Sequence, residues 1–167
     1  GMKSEFRNIA WDGIFASLES GQANVIASCV TITDKRKKAY VFSDPYYEVH
    51  QAVVVAKDSA IKKPEDLKGK KVGVQIGTTA IEALRKMNVD IDLRTYDEVG
   101  LVFEDMRNGR LDVVVCDDPV ARYYASRKEG YKDLMKVAFL TEDVEYIGFV
   151  FSKDNAELAA QVNKGLK

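Results

Sequence analysis

The chain has 167 residues, 46% apolar and 31% charged, which suits one large domain or two small lobes of ordinary globular composition. Its net charge of −1 supplies no overall basic field for nucleic acid or an anionic membrane. The one histidine, His50, leaves little room for a zinc site, and the distant Cys29 and Cys116 read as two unpaired buried thiols, fitting neither a metal-ligand spacing nor a disulfide framework.

No apolar run approaches the roughly 20 residues needed to span a bilayer. The start, Gly-Met-Lys-Ser, carries no signal-peptide pattern, and the natural compartment stays open on that ground.

In chain order, Trp11 opens a helix with Asp12 as its expected cap, Gly21 stops it, and a strand follows at 24–28. Thr33 is placed to cap a short helix over 34–39. "QAVVVAKD" (51–58) is an apolar strand. Pro64 lies in the first turn of a helix that Gly69 ends, before a strand at 71–75, a loop at 76–79 and a helix at 80–87. Strands are expected at 89–96, 112–116, 134–139 and 145–153, and helices at 120–130 and 155–167, the last with Asn155 as its cap.

"FASLESGQANVIAS" (15–28) and "FEDMRNGRLDVVVC" (103–116) align without a gap, each reading as helix, glycine stop, polar link and apolar strand. Helices feeding apolar strands point to an α/β protein with mostly parallel sheets flanked by helices. The echo has two accounts: a pair of similar lobes, or the ordinary grammar of α/β units.

Ligands of open α/β sheets sit beyond the carboxyl ends of the strands. Three segments arrive there. Gly77-Thr78-Thr79 is a strand-to-helix turn whose free N–H groups suit a carboxylate or phosphate, or else a plain threonine cap. No Lys-Ser/Thr pair follows it, so a nucleotide P-loop is not supported. Thr31 and Thr33 precede Arg36, a guanidinium in the first turn of a helix. Either it turns inward to grip a carboxylate through two parallel bonds, or it is one more solvated cation beside Lys35, Lys37 and Lys38. Asp117 ends an apolar strand, where a carboxylate needs a cation or several donors; a ligand ammonium, a local arginine or a turn N–H would serve. Asp118 is the expected cap of a helix beginning at Pro119. Together these groups complement an α-amino-acid zwitterion. Trp11 is placed either to stack on a ligand side chain at the rim or to pack in the core.

"WDGIFASLESGQANVI", "TITDKRKKAYVFSDPYY", "DLKGKKVGVQIGTT" and "GRLDVVVCDDPVARYY" resemble the polar-amino-acid solute-binding proteins of ABC importers, with the type II periplasmic-binding-protein fold. The resemblance implies non-catalytic binding of a free amino acid by hinge closure of two lobes, with ABC permease subunits as partners and no cofactor, metal or nucleic acid. It implies that Arg36 grips the ligand carboxylate with Thr31, and that Thr79 adds donors while Gly77 and Thr78 shape the loop. Asp117 would receive the ammonium with the carbonyl of Cys29, and Trp11 would stack on the ligand. Cys29 stands where the family usually has glycine.

Residues 1–51 and 149–167 would form lobe one and 52–148 lobe two. Family members carry further segments at both ends, which makes lobe one incomplete and a homo-oligomer the expected way to cover its exposed sheet. The resemblance places the protein in the periplasm or on the cell surface of a bacterium. Two alternatives share the scaffold: a dehydratase-type enzyme using Glu48, His50 or Asp118, and the ligand-sensing domain of a membrane receptor.

Overall fold

The helix–glycine–strand unit that recurs in the sequence is built twice. A computed structural model describes residues 3–166; Gly1, Met2 and Lys167, the outermost residues of the expected lobe one, lie outside it. The first unit is α1 (Ile14–Glu19) and β1 (Ile26–Thr31), followed by α2 (Asp34–Ala39), β2 (Val41–Phe42), β3 (Tyr47–Val49) and β4 (Gln51–Ala56). Then come β5 (Lys71–Gln75), α3 (Ala80–Met87) and β6 (Asp92–Tyr96). The second unit is α4 (Val99–Arg107) and β7 (Val113–Asp117), and the chain ends with α5 (Asp118–Ser126), β8 (Met135–Leu140), β9 (Glu145–Phe151) and α6 (Ala156–Leu166). The matching glycines, Gly21 and Gly109, take φ values of 73° and 72°, the left-handed backbone that ends a helix with least strain in glycine.

Several boundaries differ from expectation. Asp12 lies in a 3-10 turn, Trp11–Gly13, and caps nothing; α1 starts after it. Pro64 opens a single 3-10 turn, Pro64–Leu67. Asp118 is the first residue of α5, not its cap.

The strands form two sheets. In the first, β9 pairs antiparallel with β1, β2 and β3. The second has the order β6-β5-β7-β4-β8, with β5 parallel to β6 and β7, and β4 antiparallel to β7 and β8. The expected two sheets flanked by helices are present, but parallel pairing is confined to β5, β6 and β7. Parallel neighbours need a crossover connection, and α3 and α4 supply it only there. A single residue, His50, separates the end of β3 in the first sheet from the start of β4 in the second. β9 belongs to the first sheet from its first residue, so the return falls at 141–144 and not at 148.

The run Ala52–Val55 is buried on both faces of the second sheet because each face is covered. Ala52 and Val54 pack with Phe103, Met106 and Tyr124 of α4 and α5, whereas Val53 and Val55 pack with Ala80 and Leu84 of α3. Alternate residues of β7 divide in the same way. The first sheet has a smaller cluster made by Ile14, Leu18, Ile26, Val30 and Val150. Cys116 is buried, but Cys29 is exposed, contrary to the expectation of two buried thiols. β1 bulges between Ile26 and Val30, and its exposed middle residues face away from the cluster.

Candidate ligand-binding site

A cavity of about 540 Å³ opens between the two sheets, at the carboxyl ends of β1, β5 and β7. From the first sheet's side, Trp11, Cys29, Thr31 and Arg36 line it; from the second, Thr78, Thr79 and Asp117 do. Gly77 is outside the lining and reaches the site through its carbonyl.

Arg36 is positioned by its helix start. Thr33 is the N-cap of α2, its Oγ1 accepting from the Arg36 amide at 3.2 Å, which fixes the first turn. Lys35, Lys37 and Lys38 are exposed while Arg36 is half-buried. Its Nη1 donates to Thr31 O at 2.8 Å and its Nη2 to Gly77 O at 3.0 Å. A guanidinium has five N–H donors, so others remain for a ligand. The Trp11 and Phe15 rings lie 6.0 and 5.6 Å from its centre. Burial lowers the Arg36 pKa, and Glu145, Glu82 and Asp117 oppose that shift.

The β5–α3 turn depends on Gly77, whose φ is 73° and whose missing Cβ would sit 3.5 Å from Trp11 Nε1. Thr78 Oγ1 donates back to Gln75 O at 2.8 Å, closing the turn. Thr79 occupies the N-cap position of α3, yet its side chain makes no cap bond. Its Oγ1 donates instead to Glu145 Oε2 at 2.6 Å.

Asp117 ends β7 at the start of α5. Burial pushes its carboxyl up to about 6, with the Gln51 hydrogen bond opposing and the charge of Glu145 adding to the rise. Gln51 Nε2 lies 2.7 Å from Asp117 Oδ1, 3.2 Å from Thr79 Oγ1 and 3.3 Å from Glu145 Oε2, while Gln51 Oε1 is buried without a partner. Glu145 Oε2 also accepts from Thr31 Oγ1 at 3.1 Å. Cys29 lines the cavity with φ at 51°, a conformation that favours glycine.

Gln51 and Glu145 were not among the residues singled out in the sequence. Gln51 carried one signal, a polar side chain heading the otherwise apolar run "QAVVVA". Glu145 gave none, since a carboxylate at a strand's start is ordinary. Among the enzyme candidates, Glu48, His50 and Asp118 are outside the cavity lining. His50 Nδ1 donates to Thr141 O at 2.8 Å, and Asp118 pairs with Arg122 at 2.9 Å. Among the described residues, no cluster of His, Cys, Asp and Glu is arranged to hold a metal, and no helix is long and apolar enough to cross a membrane.

The cleft between the two sheets thus has an arginine at a helix start on one side and an aspartate at a strand end on the other. The model for bacterial extracellular solute-binding proteins, family 3, matches residues 1–167. The chain belongs to that family. It is 34% identical over 168 residues to the L-cystine-binding protein TcyJ of Escherichia coli (strain K12), covering 99% of this chain and 62% of that protein. This family member therefore spans under two thirds of its relative's length. A solved ancestral arginine-binding protein bound to arginine superposes with a TM-score of 0.88 at 39% identity, over 97% of this chain and 72% of that one. The ancestral amino acid-binding protein AncCDT-1, described as a precursor of cyclohexadienyl dehydratase, superposes with a TM-score of 0.89 at 38% identity, over 99% and 71% of the two chains.

Proposed function

We propose that the cavity captures a free L-amino acid as its zwitterion, without chemistry, and that the protein is the substrate receptor of an ABC importer. The observation that carries this reading is the opposition of Arg36 and Asp117. Two opposite charges, from elements attached to different sheets, line one cavity of about 540 Å³, a volume typical of small-ligand sites. Arg36, with the backbone amides of the β5–α3 turn, takes the carboxylate. Asp117, aided by the Cys29 carbonyl, takes the ammonium, and Trp11 stacks on the side chain.

The two sheets and their helices act as two lobes that close on the ligand. The closed form meets permease subunits in the periplasm or at the bacterial cell surface. The names of the relatives, which bind cystine, histidine or arginine, support a free amino acid as the ligand class.

Calorimetry of the protein against the common L-amino acids and L-cystine tests this, with Arg36→Ala and Asp117→Ala alongside. The expected result is micromolar or tighter binding that each substitution abolishes. Affinity unchanged by both substitutions, or no binding by the unsubstituted chain, refutes the reading.

The likeness to AncCDT-1 favours a dehydratase as the second reading. Glu48, His50 and Asp118 sit outside the cavity lining, which counts against it. Incubation with a cyclohexadienyl acid and detection of ring aromatisation would establish the enzyme.

A further inference from the structure

Glu145 makes three side-chain hydrogen bonds beside the cavity, and the zwitterion reading gives it no role. It opens β9, where the chain returns to the first sheet. One of its oxygens, Oε2, receives Thr31 Oγ1 from the first sheet at 3.1 Å and Thr79 Oγ1 from the second at 2.6 Å. Gln51 Nε2 adds a third contact at 3.3 Å. Thr31 and Thr79 are both buried residues, with only their cavity-facing edges open.

The consequence follows from hydrogen-bond inventory. A hydroxyl carries one hydrogen and two lone pairs, and a carboxylate only accepts. With their hydrogens turned to Glu145, the Thr31 and Thr79 hydroxyls can offer only lone pairs to anything else. One lone pair of Thr79 already faces Gln51 Nε2 at 3.2 Å. Thr31 Oγ1 therefore meets the cavity as an acceptor. An acceptor suits an ammonium and repels a carboxylate.

We infer that Glu145 is a positioning residue: by drawing the hydrogens of Thr31 and Thr79 it fixes their hydroxyls as acceptors, and so sets which end of the zwitterion each side of the cavity takes. The inference rests on the amino-acid reading above and deepens it. The ligand carboxylate is left to Arg36 and backbone N–H groups, and Thr31 Oγ1 joins Asp117 on the ammonium.

Glu145 also acts on Asp117 through charge, since Gln51 Nε2 bridges the two carboxyl groups. The charged groups around Glu145 are Arg36 on α2, Glu82 and Lys86 on α3, Asp117 on β7 and Asp143 on the 141–144 segment.

The test compares the wild type with Glu145→Gln, Thr31→Val and the double variant. Glutamine keeps the size of the side chain but loses the charge and the obligatory acceptor character. Calorimetry uses L-arginine, L-histidine, L-glutamine and L-cystine as probes, and carbon-detected NMR follows the Asp117 carboxyl in the ligand-free protein. Glu145→Gln is expected to weaken the best-bound probe by about tenfold, the loss of one hydrogen bond to a charged group. Adding Thr31→Val to it should cost less than about twofold more, because Glu145 acts through that hydroxyl. The ligand-free Asp117 midpoint should fall from near 6 by roughly half a pH unit or more, as removal of a neighbouring negative charge requires.

Fully additive losses in the cycle, or an Asp117 midpoint that does not move, overturn the assignment. If no probe binds the wild type while the midpoint falls, the receptor reading fails and the coupling of Glu145 to Asp117 stands.

Discussion

Arg36 Nη2 donates to the carbonyl of Gly77 at 3.0 Å, joining a helix that follows the first sheet to the turn that leaves β5 in the second. The same guanidinium holds Thr31 O at 2.8 Å through Nη1. One side chain thus ties both walls of the cavity and still has donors to spare. A lysine ammonium at that position is a point charge with no planar fork, and cannot span both carbonyls and a ligand carboxylate.

Arg36→Lys is therefore expected to weaken amino-acid binding by about 10- to 100-fold, given about 1.5–3 kcal/mol for a charged hydrogen bond. Global stability should change little. Titration calorimetry with the best-bound amino acid measures the first and a thermal melt the second. A loss below about threefold would show that charge alone, and not the guanidinium's shape, does the holding.

Much of this was legible before any coordinates. The threonine cap at Thr33 follows from a local rule, a hydroxyl two or three residues ahead of a free N–H, whereas spacing alone leaves Arg36 between an inward guanidinium and a solvated cation. The continuous apolar runs in "QAVVVA" and "LDVVVC" mark the buried strands of the second sheet. Strand direction was not legible, because it depends on which distant strands become neighbours: β1 pairs with β9, more than 100 residues on. The Glu145 hub was hidden for the same reason. Its threonine partners are 114 and 66 positions away, and no local spacing ties either of them to it. Asp118 as a cap failed by one residue, a boundary that local preference does not resolve.

Cys29 lies in the left-handed region at φ 51°, which costs a residue with a Cβ about 1 kcal/mol or more. Comparing Cys29→Gly with Cys29→Ala isolates this cost, since both lose the thiol and only glycine relieves the backbone. The glycine variant should be more stable than the alanine variant by about 1 kcal/mol, after allowing for glycine's extra freedom in the unfolded chain. Urea denaturation with equal m-values measures it. Equal midpoints would mean that the bulge, and not the residue, absorbs the strain.

Gly73 in β5 has the opposite constraint, space and not torsion. A Cβ there would lie 2.4 Å from Leu111 Cδ1 and 2.6 Å from Val102 Cγ1, inside the packed layer between β5 and α4. Gly73→Ala is expected to destabilise the protein by about 1–3 kcal/mol through overpacking. Amino-acid affinity should be retained, because Gly73 is not among the cavity-lining residues. Chemical denaturation beside calorimetry separates the two effects.

Asp117 gives stability and binding opposite dependences on pH. In the ligand-free protein burial raises its carboxyl from 3.8 to about 6, so between those values the folded state holds a proton that the unfolded state has released. This group's cost to stability is then fully present above about pH 6, amounts to about 3 kcal/mol, and is relieved as the pH falls toward 4. A ligand ammonium pairs with the charged form. Affinity should accordingly be flat above about pH 6 and fall by up to about tenfold per unit below it, until the lowered carboxyl of the complex is reached. Thermal melts and calorimetry from pH 4.5 to 8 follow both trends. Asp117→Asn should remove this group's share of each and raise ligand-free stability at pH 7.5. Binding that strengthens on acidification would place the ammonium elsewhere than on Asp117.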